Sequence, residues 1–509
     1  MSTHYDRLSP LDASFLALES RTTHMHVGAV TIFEAGPLSE DGGVDFAKVR
    51  SHIASRLHLI PRYRQRLAWV PLEQHPVWVD DEHFNLDYHV RHIALPHPGS
   101  EEQLKQLAGR IMSQQLDRAK PLWEITVVEG LVDGGFALIS KTHHCMLDGV
   151  AGVDLMAVLL SPVPSDEIEP PPPWEPRPAP NGTELLVKEA SRRISRVLAS
   201  ATHIREIPGD IGSVVGDVAH RLRAVGASLT SGWLVPADAS PLNGQVGPNR
   251  RFDWLRSDLA EVKTIKNLLG GTVNDVVLTT VAGGVRRFLL EHRGLSEELL
   301  AEMEFRVMAP VSVRSSSGGG TLGNQVAMWL VPLPVGEPDP VRRMEIIQAE
   351  TERLKATDQA LGAATIVRMS AGAPLTLVSL GARLAANARP FNMTVTNVPG
   401  PQFPLYLLGS RLEATYPLVP LWEGHGVGIA LFSYAGGLFW GLNGDYDLMP
   451  DLAGFAAALG LAVEELHDAA AEAVARRTDE EMADEPQASS SDGGRKTTKA
   501  PERPPLGTR

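Results

Sequence analysis

The stretch Lys141-Thr-His-His-Cys-Met-Leu-Asp-Gly149 places two adjacent histidines, an aspartate and a glycine close together. The apolar run Phe136-Ala-Leu-Ile-Ser-Lys141 precedes it and predicts a strand, and the segment 150–160 follows it with helical periodicity. We therefore predict that the histidine pair lies where a strand ends and a helix begins. Such a junction holds a reactive side chain between two rigid elements while leaving it accessible.

The strand that leads to the histidine pair has a partner just before it in the sequence. The segment 123–129 and the run 136–142 flank Val132-Asp-Gly-Gly135, and Asp-Gly accepts the positive φ angles of a tight turn. The sequence therefore predicts a hairpin whose second arm ends in the histidines. Earlier, Ser9-Pro10 predicts a helix start, a strand is expected from His24, and amphipathic helices are expected at 44–59 and 103–115.

The length and a proline-rich run divide the chain. A chain of 509 residues is too long for one ordinary core, and Glu169–Pro180 is too rich in proline for a helix. We predict an N-terminal domain at 1–165, a linker with amphipathic helices at 166–250, a second α/β domain at 251–476 and a disordered tail at 477–509.

The linker is expected to contain helices at about 183–203 and 210–229. In the first helix, one side should be apolar and the remainder basic. The apolar side consists of Leu186, Ala190, Ile194 and Val197. A basic amphipathic helix can lie on an anionic membrane or pack on its own protein, and both readings remain open.

The second half repeats parts of the first without a histidine pair. Thr272-Val-Asn-Asp275 predicts a helix start with Asn274 in its first turn, Arg306–Arg314 reads as a strand, and 426–434 with 438–443 predicts a hairpin. Two similar halves with one reactive motif indicate a single site at their interface.

Composition restricts the function classes. A formal charge of −14 argues against nucleic acid as a general partner, and the single cysteine, Cys145, fits a reducing compartment. The sequence shows neither a secretory h-region nor an apolar run long enough to span a membrane. We expect a cytoplasmic protein, with peripheral attachment to the inner face of the membrane or to lipid droplets left open.

The residue types of the motif favour proton transfer. Histidine is the natural general base for a hydroxyl, and adjacent strand residues point to opposite sides, so one histidine should face the reaction and the other the structure. Asp148 either orients the base or caps the following helix and braces the loop, with Arg314 as its candidate partner. Three alternatives remain: a purely structural pair, a metal site completed by His24 and His26, and a nucleophilic Cys145.

The motif His143-His-Cys-Met-Leu-Asp-Gly149 fits the His-His-x-x-x-Asp-Gly signature of the CoA-dependent acyltransferase superfamily. Between residues 8 and 470 the chain also resembles the bacterial wax ester synthase/diacylglycerol acyltransferase family. The motifs that carry this resemblance are Leu8-Ser-Pro-Leu-Asp-Ala-Ser-Phe-Leu16, His24-Met-His-Val-Gly28, Pro121-Leu-Trp-Glu124, Pro241-Leu-Asn-Gly244, Val273-Asn-Asp-Val-Val-Leu278, Pro310-Val-Ser-Val-Arg314, Gly323-Asn-Gln325 and Phe391-Asn-Met-Thr-Val-Thr-Asn-Val-Pro-Gly-Pro401.

The resemblance implies two chloramphenicol-acetyltransferase-like domains with a channel between them. It implies transfer of a long acyl chain from acyl-CoA, the co-substrate, to diacylglycerol or a fatty alcohol, without a metal or redox cofactor. By position it makes His144 the base and His143 supportive, while Asp148 and Gly149 maintain the loop. Asn274 or the strand 392–396 could donate hydrogen bonds to the oxyanion. The rival hypotheses are transfer to another hydroxyl or amine, and a non-catalytic protein that binds lipid or acyl-CoA.

Overall fold

The protein is built around two six-stranded mixed sheets, as a computed structural model shows. The structure describes residues 4–40, 43–73, 75–146, 155–205, 235–312, 326–356 and 389–484. Strands and helices are numbered below in chain order through these residues.

The first half alternates short strands and helices. Its elements are β1 (Asp6–Arg7), α1 (Pro10–Leu18), β2 (His26–Phe33), β3 (Ser39–Glu40), β4 (Gly43–Val44), α2 (Phe46–Arg56), β5 (Gln65–Trp69), β6 (Pro76–Asp80), α3 (Leu86–His89), β7 (Val90–Ala94), α4 (Glu101–Ser113), β8 (Trp123–Glu129), β9 (Phe136–His143), α5 (Leu155–Leu159) and α6 (Gly182–Arg205). Short 3-10 turns cover Leu57–Leu59, Pro61–Arg64 and His144–Met146.

The second half has longer helices. Its elements are β10 (Arg250–Asp258), α7 (Leu259–Leu269), α8 (Val273–Arg293), α9 (Glu297–Glu302), β11 (Phe305–Ser312), β12 (Val326–Leu333), α10 (Pro340–Ala356), β13 (Met393–Pro399), β14 (Tyr406–Leu407), β15 (Ser410–Leu418), β16 (Val427–Tyr434), β17 (Gly437–Asp445) and α11 (Leu452–Asp484).

The histidine pair ends a central strand of the first sheet. The strand order is β14-β15-β2-β9-β8-β7, so β9 has a neighbour on each side. Seven of its eight residues are buried, because both faces of the sheet are covered, and this accounts for the nearly continuous apolar run. A smaller sheet, β1-β6-β5, lies beside it.

The second sheet has the order β10-β17-β16-β13-β11-β12. Its core contains side chains from α8 and α11, both rich in valine, leucine and alanine. Helix α8 begins with a capping box in which Thr272 and Asp275 bond each other's backbone N–H groups. The cap explains why the chain starts a helix at the predicted Val273.

The second half of the chain contributes a strand to the first sheet. Strand β15, from the second half, pairs antiparallel with β2 of the first sheet, from Leu412 opposite Phe33 to Leu418 opposite Gly28. Position 28 requires glycine, because a Cβ atom there would lie only 2.0 Å from the Ser140 carbonyl oxygen of the next strand. The predicted boundaries at 165 and 250 remain predictions, but 406–418 belong structurally to the first sheet.

Most of the predicted elements are confirmed. The two hairpins form as predicted, and Ser9 caps α1 with Pro10 as the first helical residue. The helix predicted at 44–59 ends at Arg56 and continues as a 3-10 turn. The helix predicted at 210–229 lies outside the described residues.

Two predictions were wrong in part. Helix α11 continues to Asp484, eight residues past the boundary predicted for a disordered tail. Among the α6 side chains that the structure describes, Leu185 and Glu189 are buried, whereas Ala190 of the predicted apolar row is exposed. A carboxylate can occupy this buried position because Arg7 and the Tyr5 hydroxyl, 2.9 Å away, bind it.

Among the described residues, no single helix has the length and hydropathy needed to cross a bilayer. Helices α7 and α8 meet that criterion only when taken together, and they are bent by 99° relative to each other.

Candidate active site

The backbone hydrogen bonds of the hairpin fix both histidines. His143 is the last residue of β9, and its N–H donates to the Leu122 carbonyl at 2.9 Å. His144 begins the following 3-10 turn, and its N–H donates to the Met25 carbonyl at 2.8 Å. The residues that precede β8 and β2 therefore hold the end of the predicted strand.

The His144 ring lies against the N-terminal helix. Its centroid is 3.9 Å from that of Phe15, and the two rings are inclined by 26°. The residue keeps partial access to solvent, but its Nδ1 is enclosed and has no hydrogen-bond partner among the described residues. The ring is therefore held against α1 through Phe15.

The surroundings of His144 keep it neutral. Burial lowers the pKa of His144 to about 4, and the smaller effect of a contact with the residue's own backbone opposes this shift. At neutral pH the imidazole therefore has a lone pair available. A neutral ring is the protonation state that a general base requires.

The His143 ring is enclosed, and its Nδ1 already has a hydrogen-bond partner. Only 1% of the residue is exposed, and its Nδ1 accepts a hydrogen bond from the Cys145 N–H at 3.1 Å. Its Nε2 lies 3.6 Å from a Glu19 carboxylate oxygen. The two rings thus have different surroundings, as the alternation of side chains along a strand predicts.

Glu19 is the residue of this site that sequence reasoning missed. Its side chain is 1% exposed and lies at the end of α1. Burial would raise the pKa of Glu19, but the neighbouring His143, His26 and Arg118 side chains lower it to about 2. The carboxylate is therefore ionised. Its isolated place in the sequence gave no signal, although it lies only three residues after the first family-like motif.

The tandem histidines His24 and His26 lie beside the histidine pair. His26 is opposite His143 in the pairing of β2 with β9, and the two ring centroids are 6.0 Å apart. His24 Nε2 contacts the Arg21 carbonyl at 3.1 Å. Within the ranges that the structure describes, no three His, Cys, Asp or Glu side chains are arranged to share a metal ion.

Cys145 has the wrong surroundings for a nucleophile. It is 2% exposed, and burial raises the pKa of its thiol well above the usual value, with Asp12 and Glu19 adding to the shift. A thiol that stays protonated is a poor nucleophile. The geometry therefore does not favour this alternative.

Asn274, another candidate residue, lies in the part of the chain that the structure describes. Asn274 is half-buried in the first turn of α8, where the neighbouring Asp275 accepts a hydrogen bond from Thr351 at 2.8 Å. Asp148, Gly149 and Arg314 lie outside the described residues, so their roles remain predictions.

The strand that was expected to supply an oxyanion donor has its first residue already engaged. The Asn392 amide donates to the Asp238 carbonyl at 2.7 Å and to the Asn243 side chain at 2.9 Å, and its oxygen accepts from the Arg306 N–H at 2.8 Å. The hydroxyl of Thr394 is buried and has no hydrogen-bond partner within the described parts of the chain. Thr394, rather than Asn392, thus keeps unused donor capacity on this strand.

The loop before His24 touches the second half. The Thr23 hydroxyl donates to the Glu423 carboxylate at 3.0 Å, and the Arg250 guanidinium donates to the Thr22 carbonyl. The motif that contacts the histidine pair is therefore also part of the interface. This geometry agrees with one site near the junction of the halves.

Solved structures define the class of this fold. The starter condensation domain of rhizomide synthetase, crystallised as a mutant with C8-CoA and Leu-SNAC, matches with a TM-score of 0.54 at 13% identity, covering 92% of this chain and 94% of that one. The first condensation domain of the CDA synthetase gives 0.51 at 14% identity, covering 92% and 98%. The chain therefore shares the mixed α/β fold of these condensation domains, and the predicted fold class is confirmed.

The chain belongs to the wax ester synthase/diacylglycerol acyltransferase family. The model of that family's catalytic domain matches residues 8–277, and the model of its C-terminal domain matches 322–467. The wax ester synthase/diacylglycerol acyltransferase from Marinobacter aquaeolei VT8 matches with a TM-score of 0.65 at 27% identity, covering 91% of this chain and all of that one. The predicted enzyme family is thus confirmed.

Curated relatives agree over nearly the whole length. A Mycobacterium tuberculosis H37Rv protein named as a probable diacylglycerol O-acyltransferase is 33% identical over 452 residues, which are 88% of this chain and 92% of the relative. A second M. tuberculosis protein with the same description, from strain CDC 1551, is 34% identical over 476 residues, covering 91% and 99%.

Proposed function

We propose that the protein transfers a long acyl chain from acyl-CoA to the free hydroxyl of diacylglycerol, giving triacylglycerol, and to fatty alcohols, giving wax esters. Family membership supports the reaction class. The observation that carries the mechanism is His144, a neutral and partly accessible imidazole at the end of a rigid hairpin.

His144 acts as the general base. The hydroxyl of the acceptor is a weak nucleophile, and Nε2 removes its proton as the oxygen attacks the thioester carbonyl. A C–O bond forms, the C–S bond then breaks, and CoA leaves as a thiolate that takes up a proton from the imidazolium or from water. General-base help of this kind contributes roughly 10²–10⁴-fold.

The tetrahedral intermediate requires hydrogen-bond donors for its oxyanion. The Thr394 hydroxyl is a better candidate than Asn392, because the Asn392 amide is already bonded on both sides. None of these steps needs a metal or a redox cofactor.

The water-insoluble acceptor favours a peripheral position on a membrane or a lipid droplet. The first turns of α6 pack on the protein through Leu185 and Glu189, while Arg192 keeps 47% of its side chain exposed. Cationic side chains on this outward face suit a surface of anionic lipid.

The decisive experiment supplies purified protein with labelled palmitoyl-CoA and a mixture of diacylglycerol, hexadecanol and a long-chain amine, and identifies the product. Triacylglycerol or palmityl palmitate supports the proposal. An amide as the main product would indicate the rival acceptor class. Binding of palmitoyl-CoA without any transfer would indicate a non-catalytic protein.

A further inference from the structure

We infer that Glu19 is a positioning residue, whose buried carboxylate fixes the tautomer of His143 and thereby the backbone turn that presents His144. The inference rests on the proposed function, because it assigns a role in the same reaction. It is carried by the geometry of the short helix α1, which contacts both histidines.

The Glu19 carboxylate is itself held in place. Arg118 donates to one of its oxygens from Nε at 2.9 Å and from Nη2 at 2.6 Å, and the same Nη2 also donates to the Leu16 carbonyl at 2.9 Å. The Glu19 N–H donates to the Phe15 carbonyl at the end of the helix, at 3.1 Å. The charge is therefore compensated, and the carboxylate has one position.

Two histidines face this carboxylate, and their other contacts distinguish them. His143 Nδ1 accepts the Cys145 N–H, so the proton of the neutral ring must be on Nε2, which lies 3.6 Å from Glu19. His26 Nε2 lies 3.5 Å from Glu19, but it receives the Leu116 N–H at 3.4 Å and therefore acts as an acceptor. His143 is thus the ring that directs an N–H toward the carboxylate.

The tautomer of His143 determines the shape of the turn. While Nδ1 is an acceptor, it binds the Cys145 N–H on one side of His144, and the Met25 carbonyl binds the N–H of His144 itself. The opposite tautomer would direct two N–H groups at each other and release the turn. A carboxylate near Nε2 disfavours that tautomer, since it would lose its only nearby donor from this ring.

Helix α1 holds the two rings from one side. Phe15 and Glu19 are four residues apart, which places them on the same face. Phe15 stacks on His144, while Glu19 faces His143. One short element therefore positions the proposed base both directly and through its neighbour.

The test is a double-mutant cycle on kcat. Glu19→Gln keeps the shape and removes the charge, and we expect it to lower kcat by up to about 10²-fold, as a small misplacement of a catalytic group does, while KM for palmitoyl-CoA changes little. Glu19→Gln combined with His143→Gln should lose no more than His143→Gln alone, because the two residues act as one unit. Additive losses, or an unchanged kcat in Glu19→Gln, would overturn the inference.

Glu189→Gln is the matched control. Glu189 is also a fully buried carboxylate bound by an arginine, but it lies on α6 and contacts Arg7 and Tyr5. We expect it to lower the melting temperature at least as much as Glu19→Gln does and to leave kcat unchanged. An equal loss of kcat in both variants would show that Glu19 acts only through stability.

A second variant covers the case in which Glu19→Gln does not fold. Arg118→Lys keeps the positive charge at a side chain that is 34% exposed, but it cannot hold the carboxylate with two hydrogen bonds. We expect a several-fold loss of kcat, and wild-type kcat would contradict the positioning role. If the wild-type protein makes no ester, the proposed function fails instead, so the two failures are distinguishable.

Discussion

His26 lies directly opposite His143 in the antiparallel pairing of β2 with β9, although 117 positions separate them in the sequence. The tandem histidines near the N-terminus and the histidine pair are therefore one structural unit. Glu19 lies within 3.6 Å of both rings and connects this unit to helix α1.

His144→Ala should remove nearly all ester formation, by roughly 10²–10⁴-fold, because the acceptor hydroxyl loses its base. The rate is measured with labelled palmitoyl-CoA and the fold by circular dichroism. His83→Ala, at an exposed histidine in a turn, is the control and should keep full activity. Wild-type turnover by His144→Ala would refute the mechanism.

The rate of ester formation should fall only at a lower pH than it would with a base of ordinary histidine pKa. Because burial lowers the pKa of His144 to about 4, the base stays unprotonated well below pH 6.5. We expect kcat/KM, measured in short assays, to stay level down to about pH 5.5 and to fall only as the pH approaches 4. A half-maximal rate near pH 6.5 would show that a different group limits the reaction.

Stability should fall on acidification before the carboxylates titrate. Burial lowers the pKa of His24, His26 and His144, so the unfolded chain binds more protons than the folded one. The stability that they contribute is complete above about pH 6.5 and is lost as the pH falls from there. Calorimetry should show a lower melting temperature at pH 5 than at pH 7.5. A flat profile would contradict this, and His144→Gln should reduce the slope.

Asp148→Ala should reduce stability or soluble yield at least as much as it reduces the intrinsic rate. The reason is the helix-capping and loop-bracing role that the sequence predicts for Asp148, and loss of a cap costs about 1 kcal/mol. Melting temperature and kcat are measured on the same preparation. Lost turnover with an unchanged melting temperature would instead indicate that Asp148 orients His144 directly.

Neutralising the outward face of α6 should weaken attachment to lipid. Lys188→Gln with Arg192→Gln removes two positive charges without disturbing the buried Leu185, and each lysine or arginine near an anionic surface contributes about 1 kcal/mol. Sedimentation with anionic vesicles measures the effect. Arg353→Gln with Arg476→Gln, at exposed positions on other helices, is the control. Equal sedimentation of all three proteins would assign α6 to packing alone.

Local patterns sufficed for much of the fold. The Asp133-Gly134 turn, the Ser9 cap and the apolar run that precedes the histidine pair each depend on a few neighbouring residues, and each was predicted. The family motifs also predicted the two-domain architecture, because they occur along the chain in the order that is typical of the family.

Long-range contacts could not be predicted in the same way. Glu19 has its role because Arg118, 99 positions later, neutralises it, and no local pattern marks such a pair. The prediction of the buried face of α6 was wrong in part, because the burial of Glu189 depends on its contact with Arg7, which lies far away in the sequence. Likewise, nothing within 410–418 indicates that this strand joins the sheet of the other half.

Strand β15, which the second half contributes to the first sheet, limits how the two halves can move. Backbone hydrogen bonds join β15 to β2, and β2 also carries His26 at the site. A clamshell opening of the interface would have to tear the first sheet between these strands, next to the proposed base. We therefore expect long-chain substrates to enter by local rearrangement of loops around an undivided sheet, and separately expressed halves to lack a complete first sheet.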